Sequence, residues 1–165
     1  MEVKILSHED VLEKLPERAV SSHKGNYGRV LLLCGSRGYT GAAALSAMGA
    51  LRTGAGLVYL GVPECIYAIE ATKLSEPIVL PLPDRNGRIS RRSIKEIDKL
   101  LPKMDAVLIG PGLGCSMDTL TVTEHVLSVF PGPVVLDADG INVISSHKNV
   151  LRDRTSPTIL TPHEG

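Results

Sequence analysis

Tryptophan is absent from this sequence, and the other aromatic residues amount to four tyrosines and one phenylalanine in 165 residues. The core must therefore be built from alanine, valine, leucine and isoleucine. Net charge is absent too, since 18 basic side chains balance 18 acidic ones. General nucleic-acid binders and proteins that bind acidic membranes use a basic excess, so the balance argues against both classes. No apolar run is long enough to span a membrane.

Paired cysteines are also missing. Cys34, Cys65 and Cys115 are widely spaced, and no Cys-x-x-Cys motif occurs, which argues against a zinc site. An odd number of cysteines and no recognisable signal peptide predict a cytoplasmic protein. Cys34 ends the apolar run 30–34, so we expect it to be buried as a small hydrophobic residue.

The apolar runs alternate with amphipathic segments along the whole chain, whose length suits a single domain over residues 1–165. Such alternation predicts an α/β sandwich of three layers, with helices flanking a mostly parallel sheet. A short capped helix is predicted at 7–12, and a turn at 84–87. The predicted strands are 30–34, 57–62, 78–82, 106–109, 134–136 and 158–160, and the predicted longer helices are 42–53, 64–73, 93–101 and 119–130.

Four of the predicted strands end in loops rich in glycine, aspartate or histidine. Parallel sheets bind ligands beyond the carboxyl ends of their strands, so these four loops are expected along one edge of the sheet. No helix follows the last strand in the sequence, and we therefore expect the fold to be incomplete at the C-terminus.

The first of these loops is Gly35–Ala43, which leads from a strand into a helix. Glycines let the backbone approach a ligand, and the start of a helix favours negative charge. The loop contains neither the P-loop motif nor the Gly-x-Gly-x-x-Gly dinucleotide fingerprint. Ligand binding and a simple tight turn are therefore equally supported by the pattern.

The remaining loops are ambiguous when each is taken alone. Gly110–Gly114 is a second glycine-rich strand end. Asp137, Asp139 and Asn142 could hold Mg²⁺ or orient a phosphate, but helix capping by Asp139 and a buried, hydrogen-bonded Asp137 are favoured. A single histidine such as His163, or a single lysine such as Lys24, is more often structural or solvated. The four arginines nearby are expected to form a solvated face: Arg85, Arg88, Arg91 and Arg92.

Five motifs in this order resemble one family, the ADP/ATP-dependent NAD(P)H-hydrate dehydratases of the ribokinase-like superfamily. The same domain forms the C-terminal part of bifunctional NAD(P)HX repair enzymes. The resemblance covers essentially the whole chain. It rests on 24–30, 35–43, 110–114, 136–142 and 160–163.

The resemblance implies that ADP or ATP, with Mg²⁺, drives dehydration of hydrated NADH or NADPH, written NAD(P)HX. It implies substrate contacts at Ala43, at Gly112 or Gly114, and at His163. Asp137 and Asn142 would support the same pocket. Gly35, Gly38 and Thr40 are further candidates, while Lys24 and Tyr27 are expected near the substrate or at a subunit interface. A homo-oligomer such as a tetramer is implied as well.

The sequence departs from the family pattern after His163. The family's nucleotide-binding half carries a Gly-x-Gly-Asp loop whose aspartate is the catalytic base, and no such motif occurs here. The chain is therefore expected to be truncated, to have its catalytic aspartate beyond residue 165, and to lack most of the nucleotide site. Two alternatives stay open: another ribokinase-like small-molecule kinase, and a non-catalytic fragment that binds a dinucleotide or assembles with like chains.

Overall fold

A computed structural model describes residues 5–15 and 19–163. In chain order its helices are α1 (His8–Leu12), α2 (Thr40–Arg52), α3 (Glu64–Lys73), α4 (Ile94–Leu100), α5 (Met117–Val129), α6 (Asp139–Ile144) and α7 (Asn149–Arg152). Its strands are β1 (Arg29–Leu33), β2 (Leu57–Pro63), β3 (Ile78–Leu82), β4 (Asp84–Arg85), β5 (Arg88–Ile89), β6 (Ala106–Ile109), β7 (Val134–Asp137) and β8 (Thr158–Thr161). Single turns of 3-10 helix cover Lys24–Tyr27, Arg91–Ser93 and Leu101–Lys103.

Six strands form one sheet in the order β3-β2-β1-β6-β7-β8, and every neighbouring pair is parallel. The predicted parallel sheet is therefore confirmed. Strands β4 and β5 form a separate antiparallel hairpin, where the sequence predicted only a turn. The chain passes from β1 outward to β3, and then crosses back to place β6 on the other side of β1.

Helices lie on both faces of this sheet, as predicted. On one face, Ala43 and Ala47 of α2 and Ile66 of α3 pack with Leu32 and Leu60. On the other face α4, α5 and α6 cover β1, β6 and β7. That larger cluster includes Leu31, Leu33, Ile97, Val107, Val126, Leu136 and Ile144. Alternate residues of β1 thus face opposite layers, which explains why its run is apolar throughout.

Helix α6 leads directly out of β7, and its bounds were not predicted, although helix capping was favoured for Asp139. Its six residues are too few to show a helical period, and its first residues were interpreted as a loop. The short helix α1 was predicted correctly: Ser7 and Asp10 form a reciprocal capping box at its start.

Strand β8 lies at the edge of the sheet, and its side chains are poorly covered. Ile159 is 55% exposed and Leu160 is 45% exposed. Because neighbouring strand residues point to opposite faces, both faces of β8 are partly open. Across the part of the chain that the structure describes, no helix has the length and apolar character needed to cross a bilayer.

Candidate functional site

The strand order changes direction between β1 and β6, and this is where open parallel sheets form their ligand crevices. At this point the N–H of Gly110 donates to the carbonyl of Leu33 over 3.1 Å, and the N–H of Gly35 donates to the carbonyl of Pro111 over 2.8 Å. The two glycine-rich loops therefore begin side by side. Their shared position follows from the pairing of β1 with β6.

The same two loops are in close contact farther from the strands. Buried Ser36 donates its hydroxyl to the carbonyl of Gly112 over 2.7 Å. A Cβ placed on Gly112 would lie 2.9 Å from the Cβ atoms of both Ala42 and Tyr39. The start of α2 and the Gly110–Gly114 loop are thus packed too tightly for a side chain at position 112.

The start of α2 has the features of an anion-binding helix end. No side chain caps this 13-residue helix, so its first N–H groups have no side-chain partner. Lys73 of α3 adds a positive charge there, because its ammonium lies 2.9 Å from the Thr40 hydroxyl. Ala43 is buried as a whole residue, side chain and backbone alike, so it exposes no surface to a ligand in this structure, against the expected substrate contact.

The ends of β7 and β8 bring together a carboxylate, a hydroxyl and an imidazole. Thr161 donates its hydroxyl to Oδ1 of Asp137 over 2.7 Å. Nε2 of His163 lies 3.8 Å from the same oxygen, and the His163 side chain is 82% exposed. The imidazole therefore stands at the surface beside a carboxylate that a neighbouring hydroxyl holds in place.

Asp139 connects this group to the second glycine loop. Its Oδ2 accepts the N–H of Gly114 over 2.8 Å, and its Oδ1 lies 3.5 Å from Nδ2 of Asn142. The sequence favoured helix capping by Asp139, but the residue is the first of α6 and bonds to another loop instead. The Asn142 side chain lies beside Asp139, and its role as a support of the pocket stays a prediction.

The backbone between β7 and α6 is strained. Ala138 has a φ of 43° and a ψ of −113°, a backbone conformation that residues other than glycine rarely adopt. Gly110 has a φ of 132°, and a Cβ there would lie 1.8 Å from the carbonyl oxygen of Asp137. Strain of this kind clusters at functional sites, and here it coincides with the place where β6 and β7 end.

The four loops predicted to lie at one edge do lie there. We call this surface the carboxyl edge, and it comprises residues 35–43, 110–114, 137–142 and 161–163. It contains most of the candidate residues: Gly35, Gly38, Thr40, Ala43, Gly112, Gly114, Asp137, Asn142 and His163.

Lys24 and Tyr27 are not part of the carboxyl edge. The N–H of Gly56, just before β2, donates to the carbonyl of Tyr27, and the backbone of Lys24 lies against Gly56. The Lys24–Tyr27 turn therefore lies at the amino ends of the strands, at the end of the sheet opposite the carboxyl edge. The expectation of a substrate contact within one chain is corrected by this placement, while the subunit-interface alternative stays a prediction.

The described residues do not form a metal centre by themselves. Among residues 5–15 and 19–163, no three His, Cys, Asp or Glu side chains are grouped for metal binding. The two carboxylates of the carboxyl edge already accept protein hydrogen bonds, Asp137 from Thr161 and Asp139 from Gly114. The residues present therefore do not fit a complete Mg²⁺ site, and none is assigned as a ligand.

Two contributors to this site were missed from sequence. Ser36 was noticed merely as part of a turn, yet its hydroxyl fastens the two glycine loops together. Arg88 was assigned to a solvated face, but its Nε would lie 2.4 Å from a Cβ on Gly114. No local pattern predicts either contact, because both join residues at least 26 positions apart.

Comparisons with known proteins agree with this geometry. A family model described as NAD(P)H-hydrate dehydratase matches residues 30–165. The bifunctional NAD(P)H-hydrate repair enzyme of Moorella thermoacetica is 40% identical over 153 residues, covering 92% of this chain and 29% of the relative. The corresponding enzyme of Gloeobacter violaceus is 42% identical over 149 residues, covering 90% and 28%. The chain thus spans less than a third of these relatives.

Solved structures show the same fold. A ribokinase-like superfamily protein from Enterococcus faecalis matches with a TM-score of 0.79 and 25% identity, covering 96% of this chain and 53% of that one. The ADP/ATP-dependent NAD(P)H-hydrate dehydratase from Bacillus subtilis, co-crystallised with ATP and Mg²⁺, matches with a TM-score of 0.75 and 32% identity, covering 99% and 54%. The ribokinase-like sandwich is therefore confirmed.

Proposed function

The chain belongs to the NAD(P)H-hydrate dehydratase family, and from this premise we propose that its carboxyl edge binds hydrated NADH or NADPH for nucleotide-dependent dehydration. The main support for this proposal is that four loops meet at the carboxyl edge, two of them where the strand order changes direction. In the proposed reaction ADP or ATP transfers its terminal phosphoryl group to the hydroxyl of the hydrated nicotinamide ring, which leaves AMP or ADP. The ring C–O bond then breaks, inorganic phosphate leaves, and loss of a proton from the adjacent ring carbon restores the double bond of NADH or NADPH.

The residues of the carboxyl edge suit binding and orientation. The uncapped start of α2, with the Lys73 ammonium beside Thr40, favours an anionic group of the dinucleotide. His163 can exchange hydrogen bonds with the hydrated ring, and the Asp137 carboxylate, which accepts a hydrogen bond from Thr161, lies 3.8 Å from its imidazole. We assign these residues to substrate binding and assign no catalytic base among residues 1–165.

ADP or ATP and Mg²⁺ supply the phosphoryl group and its charge neutralisation when they are bound. Support for both comes from the Bacillus subtilis relative, which was co-crystallised with ATP and Mg²⁺. The described residues of the carboxyl edge are assigned to dinucleotide binding. No step of the proposed reaction is assigned to the metal.

Self-association and a cytoplasmic location belong to the same proposal. Helices α2 and α3 carry exposed apolar side chains at Leu45, Tyr67 and Ile69, which a second copy could cover. The three cysteines are free thiols, which is compatible with a reducing compartment.

Calorimetric titration of the chain with NADHX tests the proposal. We expect saturable binding that Gly112→Ala abolishes or strongly weakens, because the new methyl group meets Ala42 and Tyr39 at 2.9 Å. Gly49→Ala, on the open side of α2, is the matched control and should bind normally. A folded chain that binds no hydrate, but binds a thiazole or pyrimidine alcohol, would instead support the kinase alternative.

A further inference from the structure

The β4–β5 hairpin places two arginines of like charge directly opposite each other. Arg85 pairs with Arg88 in the hairpin register, and Asn86 and Gly87 form the two-residue turn between them, with φ values of 53° and 77°. Positive φ at both turn residues is typical of a type I′ turn, which fixes this register. Like charges at directly opposite positions destabilise a hairpin.

Among the described residues, neither Arg85 nor Arg88 forms an ion pair. The acidic residue of the hairpin, Asp84, accepts the N–H of Cys65 instead. The hairpin thus holds two positive charges opposite each other, and a negatively charged ligand between them would reduce their repulsion.

A cavity of about 220 Å³ lies between these arginines and the start of α5. Its lining residues are Arg85, Asn86, Arg88, Ser116, Met117 and Asp118. Arg91 lies outside this lining, and its guanidinium lies 3.8 Å from the Asp118 carboxylate, so the two lining guanidinium groups face a carboxylate that is already paired. The local charge is therefore positive, although Ser116 caps the start of α5 and Asp118 lies in the first turn of that helix.

The cavity adjoins the carboxyl edge. The Arg88 guanidinium lies over Gly114, whose N–H is held by Asp139. At the hairpin tip, the N–H of Arg37 donates to the carbonyl of Gly87 over 2.8 Å. The hairpin is therefore fastened beside both glycine loops, and its arginines stand at the rim of the surface to which the dinucleotide is assigned.

We infer that the cavity between Arg85, Arg88 and the start of α5 binds a phosphate group of the dinucleotide. This inference rests on the proposed function and deepens it by naming a second contact region. Guanidinium groups bind phosphate oxygens through paired, charge-assisted hydrogen bonds, and two opposed arginines can hold one phosphate from two sides. The phosphate is either part of the pyrophosphate bridge or the 2′-phosphate of an NADP form.

The test compares wild-type chain with the double variant Arg85→Gln/Arg88→Gln in titrations with NADH, NADPH and ADP. The matched control is Arg52→Gln, an exposed arginine at the far end of α2. We expect the double variant to bind dinucleotide about tenfold more weakly, with a smaller difference at high salt. Equal losses for NADH and NADPH identify the pyrophosphate, and a loss confined to NADPH identifies the 2′-phosphate.

A second readout separates ligand binding from a structural role. Without ligand, the double variant should melt at the same or a higher temperature than wild type, because the repulsion between the arginines is gone. Unchanged dinucleotide affinity in the variant, with normal binding by wild type, overturns the inference alone. A loss confined to ADP also overturns it. Failure of wild type to bind any dinucleotide overturns it together with the proposed function.

Discussion

The strained backbone of Ala138 gives a prediction at the scale of one residue. Its φ of 43° lies where glycine is tolerated and alanine is not. Ala138→Gly should therefore raise the free energy of unfolding by about 1 kcal/mol, measured by urea denaturation. The same substitution in α3, Ala68→Gly, should lower stability by about 1 kcal/mol because it lies in a helix. Destabilisation by both variants would contradict the strain at Ala138.

Glu70 gives a prediction about pH. Its carboxylate is fully buried, and neither oxygen has a hydrogen-bond partner among residues 5–15 and 19–163. Burial raises its pKa above the ordinary value of 4.5, although the Lys73 ammonium, 3.7 Å away, opposes the shift. The folded state therefore binds this proton more tightly than the unfolded state. The free energy of unfolding consequently falls as the pH rises from the ordinary pKa toward the raised pKa of Glu70, and it stays lower above that range.

Glu70→Gln removes the buried charge and keeps the shape of the side chain. At neutral pH the free energy of unfolding of the variant should exceed that of wild type by on the order of 1 kcal/mol. The difference from wild type should shrink as the pH falls toward 4.5. Urea unfolding at both pH values measures this, with Glu13→Gln at the surface as the control. A variant less stable than wild type at neutral pH would show that the pairing with Lys73 outweighs the cost of burial.

Some single residues could be assigned from sequence and others could not. Cys34 was expected to be buried, and it is; burial raises the pKa of its thiol to about 12. Glu70 gave no signal, because a glutamate in a short helix normally faces solvent. Its burial depends on how α3 lies across the sheet, which is decided by packing rather than by local pattern.

At the scale of elements, Ser36 connects the loop after β1 to the loop after β6. Ser36→Ala leaves the carbonyl of Gly112 without this buried donor, and we expect a loss of about 1–2 kcal/mol of stability together with weaker NADHX binding. Ser128→Ala is the control, since that hydroxyl bonds to Glu124 within its own helix. Chemical denaturation and calorimetry measure the two effects. Normal hydrate binding by a Ser36→Ala chain would show that the two loops need not be joined.

Arg154 holds the end of α5 against the turn into β7. Its guanidinium donates to the carbonyls of Phe130 and Gly132 over 3.1 and 2.8 Å, and also to that of Leu127. Lysine cannot make these divergent bonds from one planar group, so Arg154→Lys should cost about 2 kcal/mol of stability. Arg152→Lys, an exposed change two residues earlier, should cost little. Thermal unfolding compares the two, and equal effects would contradict the role of Arg154.

The strands of the parallel sheet were predicted well. All six were predicted to within one residue at each end, and α3 was predicted with the observed bounds. Helix α6 and the β4–β5 hairpin were missed or reduced to turns, because two to six residues carry too little periodicity. Their existence depends on contacts with the glycine loops, which are distant in sequence.

At the scale of the whole molecule, parallel pairing gathers the site. Four strand ends become neighbours because β1, β6, β7 and β8 are adjacent in the sheet, so residues over 120 positions apart share one surface. The sequence predicted this edge from the loop composition alone. The same reasoning places the Lys24–Tyr27 turn at the other end of the strands, because it directly precedes β1; the expected substrate contact came from the family resemblance and not from this placement.

Hydrogen–deuterium exchange with and without saturating NADHX tests the central claim most directly, namely that the carboxyl edge binds the hydrated dinucleotide. We expect slower exchange in 35–43 and 110–115, and unchanged exchange in 24–28 at the opposite end of the strands. Protection confined to 24–28, or no protection anywhere in a folded chain, would contradict it.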